Sequence, residues 1–104
     1  MKYRIRDLNQ RDIAEMLHIH QTTYMLSDNE YNGILLDIGI KIGYYRRKAG
    51  MTQDELAEVC NLSSGYIAQL ESPNLPYCPS IKSLFTIAKA LGVKASKLID
   101  IEED

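Results

Sequence analysis

Nothing in this 104-residue chain groups a nucleophile with a base, pairs two carboxylates or forms a glycine-rich phosphate loop, so catalysis has no visible address. His18 and His20 flank Ile19 without further ligands, and no metal site is expected from them. Cys60 and Cys78 lack a C-x-x-C spacing or a histidine cluster and read as packed or free thiols. Neither a cofactor nor a small-molecule ligand is indicated. The stretch whose residue types and spacing do suggest chemistry runs from Thr52 to Leu70, T-Q-D-E-L-A-E-V-C-N-L-S-S-G-Y-I-A-Q-L, and that chemistry is recognition. It spells a short amphipathic helix, a tight turn and a second short helix. Two helices held at such an angle can push the second into a DNA major groove.

The positioning elements follow from local signals. Thr52 is a natural N-cap, and Glu55 three residues on completes a capping box. Leu56 and Val59 are apolar at helical spacing, and Ala57 is small enough for a second helix to cross close by. Asn61 sits where this helix must stop, because it tolerates the left-handed conformation better than other non-glycine residues. Leu62 plugs the turn, Ser63 caps the next helix, and Ile67 and Leu70 aim that helix back at the first. Upstream, Leu35, Ile38, Ile42 and Tyr45 predict a helix over 34–48, with Arg46, Arg47 and Lys48 at its C-terminus and Gly50 ending it. The recognition pair is expected at 53–60 and 64–71. Pro73, Pro76 and Pro79 keep 72–79 out of helix. Ser80 caps a fourth helix with the stripe Ile81, Leu84, Phe85, Ile87, Ala88 and Leu91, and Gly92 stops it. Val93 leads into a short last helix containing Leu98 and Ile99. Five helices and no strand signal give an all-α domain.

Length allows one compact domain plus an extension. No apolar run approaches the roughly 18 residues that cross a bilayer, and no leader pattern precedes a cleavage-like site, so a soluble, cytoplasmic protein is expected. Twelve basic and fourteen acidic side chains give a formal charge of −2, unlike many nucleic-acid binders. The distribution is uneven: residues 37–101 carry eight basic and six acidic groups, while Glu102, Glu103 and Asp104 form an acidic tail. Such asymmetry permits DNA binding with modest non-specific affinity.

From about Ile38 to Ile101 the chain resembles the helix-turn-helix domain of phage-repressor and Cro-like regulators, the XRE type. The resemblance rests on I-K-I-G-Y-Y-R-R-K-A-G-M-T-Q-D-E-L-A, on A-x-x-x-N-L-S, and on P-S-I-K-S-L-F-T-I-A-K-A-L-G-V, in that order. It implies a five-helix repressor-like fold and a sequence-specific transcriptional regulator, a repressor, acting on double-stranded DNA as a homodimer at paired half-sites. Carried over position by position, it puts Gln53, Ser63, Ser64, Gly65, Ala68 and Gln69 at bases or groove. Gln69 offers a bidentate donor and acceptor pair to adenine, and Ser64 discriminates weakly. Arg46, Arg47, Lys48, Tyr66 and Lys82 become the phosphate contacts. The chain departs from the family in having no Arg or Lys in the second helix of the pair or in the loop after it. That departure, with the acidic balance, keeps a second function class open: a protein-interaction or antitoxin-like module of the same fold.

Residues 1–30 hold an internal echo. Gln10–Tyr24 aligns with Gln53–Ile67 at a constant offset of 43, with identities at Gln10/Gln53, Ala14/Ala57 and Glu15/Glu58. The segment reads as a shortened helix-turn-helix copy, too small to fold alone. Its apolar Ile13, Met16, Leu17 and Ile19 suggest an assembly element preceding a domain over 31–101.

Overall fold

The structure, a computed structural model, describes residues 25–101. The internal echo up to Tyr24, the two histidines and the acidic tail lie outside the described residues. Five helices follow in order: α1 (Asp28–Lys48), α2 (Gln53–Cys60), α3 (Ser64–Glu71), α4 (Ile81–Leu91) and α5 (Ala95–Leu98). The described residues contain no strand.

α1 begins at Asp28, earlier than the expected Ile34, and so runs across the boundary drawn between residues 30 and 31. Its start is a capping box that the sequence reading missed. Ser27 Oγ accepts from the Glu30 N–H at 3.1 Å, and Glu30 Oε1 accepts from the Ser27 N–H at 3.0 Å. The Ser27 backbone N–H first, and the Ser27 hydroxyl second, hold the Glu30 carboxyl below the usual carboxylate value. Met25 and Leu26, just ahead of the box, are exposed.

Three helices stop by one device. Gly50, Asn61 and Gly92 all adopt the left-handed conformation, with φ of 73°, 55° and 71°. In each case the following residue donates its N–H back across the turn: Met51 to the Arg46 carbonyl, Leu62 to Ala57 and Val93 to Ala88, at 2.9–3.0 Å. This pairing satisfies carbonyls that the helix end would otherwise leave open. It also gives each chain reversal a defined angle.

Each helix places one side chain fully inside: Ile42, Leu56, Ile67, Ile87 and Leu98. Burial of this kind contributes about 1.5–3 kcal/mol per side chain. Ile38, Ala57, Cys60, Leu70, Leu84 and Ala88 complete the core. α1 lies unusually close to α3. A Cβ built on Gly39 would collide with the backbone carbonyl of Leu70, so only glycine permits this approach.

Several expected core residues face outward. Val59 is 61% exposed and Cys60 is buried in its place, because α2 is two turns long and buries a single stripe through Leu56, Ala57 and Cys60. Burial pushes the Cys60 thiol pKa up, away from reactivity. On α4, Leu84, Ile87 and Ala88 point inward whereas Ile81 and Phe85 are exposed. In the last turn Leu98 is buried and Ile99 is not. Among the described residues no helix is long and apolar enough to cross a membrane.

Candidate nucleic-acid interface

α3 presents two different sides. Ile67 and Leu70 pack inward, while Ser64, Gly65, Ala68 and Gln69 are all exposed. The periodicity of the helix forces this separation: positions 64, 65, 68 and 69 share one side, and 67 and 70 the other. Ser63 Oγ accepts from the Tyr66 N–H at 3.0 Å, which fixes the start of the helix. The N–H groups of Ser64 and Gly65 remain at the open N-terminus, where the helix dipole favours an anion. A Cβ on Gly65 would meet nothing nearer than Ser63 Oγ at 4.0 Å. Packing within the chain therefore does not require glycine there, and its bare backbone is open to approach from outside.

α2 is set beside α3 by a polar cluster. Arg46 donates from Nε to Glu71 Oε2 at 2.8 Å and from Nη2 to Oε1 at 2.9 Å, a bidentate pair, and from Nη1 to the Met51 carbonyl at 2.7 Å. Its side chain is 11% exposed and that of Glu71 7%. Gln53, the first residue of α2, donates from Nε2 to Glu71 Oε1 at 3.2 Å. Glu71 thus ties the end of α1, the start of α2 and the end of α3. The hydrogen bonds to Glu71 raise the Arg46 pKa further, keeping the guanidinium charged.

This cluster corrects the expectation for Arg46. Its donors are turned inward, so it serves as an internal strut rather than an outward cation for phosphate. The Gln53 amide likewise donates to Glu71, although the resemblance puts Gln53 at bases or groove. Nothing along the sequence marks Glu71 for this role. The pair spans 25 positions in the sequence, and only a tertiary contact reveals it.

The other expected phosphate contacts lie on the surface. Arg47, Lys48 and Lys82 are exposed. The Lys48 ammonium sits 5.8 Å from the centroid of the Tyr44 ring. Tyr66 is half-buried. Its hydroxyl accepts from the Ser80 N–H at 3.3 Å, and its ring meets Tyr77 edge-on at 5.8 Å between centroids. It therefore holds the 72–80 loop and the start of α4, while its hydroxyl proton stays free to donate. Between Lys48 and Lys82 the sequence contains no Lys or Arg, so the exposed side of α3 is uncharged. Asp54 and Glu55, by contrast, put acid in the first turn of α2.

This arrangement can be compared with known proteins. A helix-turn-helix family model matches residues 42–98, more than half of the chain. The chain belongs to the helix-turn-helix family, in its XRE-type branch. It is 36% identical over 67 residues to an immunity repressor protein of Bacillus phage phi105, covering 64% of this chain and 45% of that repressor. It is 33% identical over 69 residues to a competence pilus inhibition repressor of Acinetobacter baylyi, covering 66% of this chain and 61% of that protein. Similarity at 38% over 64 residues extends to an uncharacterized HTH-type transcriptional regulator of Methanocaldococcus jannaschii, of which 94% is covered. The helix-turn-helix chain thus spans about half the length of the phage repressor and under two thirds of the Acinetobacter one.

Proposed function

We propose that this chain is a sequence-specific DNA-binding transcriptional regulator, a repressor, which lays α3 in the major groove. The observation that carries the reading is the exposed set Ser64, Gly65, Ala68 and Gln69 on a helix whose opposite side is locked into the core. Gln69 supplies the donor and acceptor pair suited to adenine, Ser64 a weaker contact, and Ala68 a surface for close approach. Ser63 and Gly65 bring backbone to the groove, and the N-terminus of α2 at Gln53 faces phosphate. Arg47, Lys48, Lys82 and the Tyr66 hydroxyl supply the remaining backbone contacts. The active species is a cytoplasmic homodimer on paired half-sites, because each domain offers one short reading helix.

The test is titration of the full chain against random duplex DNA at several salt concentrations, followed by selection of preferred sites from a random pool. Affinity falling steeply with salt, together with a recurrent selected sequence, supports the reading. Salt-independent or undetectable binding favours the second reading, a protein-interaction or antitoxin-like module. The uncharged α3 and the cation-free stretch between Lys48 and Lys82 motivate that alternative.

A further inference from the structure

The outward side of α3 continues into a cup that the helix-turn-helix pattern does not account for. A concavity of about 280 Å³ is lined by Ala68, Gln69, Ser72, Leu75 and Tyr77. Leu75 is 72% exposed, a large apolar side chain held out in water at the rim. Tyr77 is braced edge-on against Tyr66, whose hydroxyl is itself fixed to the Ser80 N–H, so this wall is held in place. No lining side chain carries a charge, which makes the cup a poor seat for phosphate. One wall is Gln69 itself, so the cup is continuous with the side proposed to read bases.

We infer that this cup receives the C5-methyl group of a thymine, making Leu75, with Ala68 and Tyr77, a determinant of sequence preference. The inference rests on the regulator reading above. Within the major groove, thymine is the base that presents a methyl group, and apolar side chains are what recognise it. An adenine held by the Gln69 amide brings its paired thymine, or that of the next step, into the same stretch of groove. Gln69 and the cup would then read one A·T-containing step from its polar and its apolar edges.

The experiment takes a preferred duplex selected from a random pool by the full chain and replaces its thymines, one at a time, with deoxyuridine. This removes the methyl group and leaves base pairing intact. At least one replacement should weaken binding about fourfold, the effect of forfeiting one buried methyl group. The loss should persist at higher salt, since no counterion is involved. In Leu75→Ala the same replacement should cost little, and the variant should fold normally because Leu75 is already exposed. A preferred site insensitive to deoxyuridine throughout, or equally sensitive in Leu75→Ala, overturns this inference and leaves the regulator reading standing. If Leu75→Ala instead weakens every sequence alike, the cup rests on the sugar–phosphate backbone and the inference again fails. Absence of any preferred site overturns both.

Discussion

The inner and outer sides of α3 are built on opposite terms. Inward, Ile67 and Leu70 are buried, Gly39 admits the α3 backbone against α1, and Glu71 is clamped by Arg46 and Gln53. Outward, Ser64, Gly65, Ala68 and Gln69 are exposed and carry no charge. One side of a two-turn helix therefore holds much of its positional information, and the other leaves its side chains in solvent. The comparison teaches that placement of the helix and the reading proposed for it rest on different residues: the helix is aimed by groups turned away from its exposed side. Substitutions on the two sides should accordingly affect different observables.

The largest effect is expected at the clamp. Arg46→Met leaves the Glu71 carboxylate nearly buried with Gln53 alone, and should cost about 3–5 kcal/mol in urea unfolding. A loss of about 1 kcal/mol or less, the level of an exposed ion pair, would remove the clamp from the inner side's account. Next comes Gly39→Ala, whose methyl group meets the Leu70 carbonyl. Overpacking should outweigh the gain in helix propensity and leave a net cost of about 1–3 kcal/mol. An undiminished melting temperature would mean that α1 and α3 do not approach as described.

A smaller effect belongs to the cap that starts α2. Thr52 Oγ1 accepts from the Glu55 N–H at 3.0 Å and Glu55 Oε1 from the Thr52 N–H at 2.9 Å. Thr52→Ala should cost about 1 kcal/mol. The Thr52 backbone N–H first, and the Thr52 hydroxyl second, hold the Glu55 carboxyl below its ordinary 4.5. A depressed carboxylate contributes stability above the unfolded value and loses it as pH falls through the folded one. Alanine keeps that backbone donor, whereas Glu55→Gln removes the carboxylate itself, so the deficit of Glu55→Gln should shrink as pH falls below 4.5, and a pH series of thermal melts checks this. Smallest is Gly33→Ala, on the same helix as Gly39 but away from the crossing, where an added Cβ meets nothing within 4 Å. It should stabilise by about 0.5–1 kcal/mol, and destabilisation there would show that the Gly39 result is not specific to the crossing.

The features that sequence reading recovered are those set by neighbours along the chain. The caps at Thr52, Ser63 and Ser80, and the left-handed stops at Gly50, Asn61 and Gly92, each depend on a few adjacent residues and are readable as such. The early start of α1 escaped because Asp28–Gly33 carries no apolar stripe, although Ser27 and Glu30 spell a capping box. Gly39 and the Arg46–Glu71 pair escaped for a different reason: both depend on how α1 lies against α3. Val59, Ile81 and Phe85 were misassigned because apolar character does not decide direction on helices too short to bury more than one stripe. For the interface, the outward positions on α3 were readable from helical spacing and family resemblance, whereas the cup beside Gln69 required the path of the 72–80 loop.

The central claim, that the outward side of α3 reads bases, is tested most directly by the base-preference profile of Gln69→Ala beside that of the unaltered chain. Gln69 is exposed and supports no core contact, so the melting temperature should not move. Affinity for the selected site should fall by about 1–3 kcal/mol, with preference relaxed at one base position and random-duplex binding unchanged. Identical profiles for the unaltered chain, Gln69→Ala and Ser64→Ala would contradict the claim.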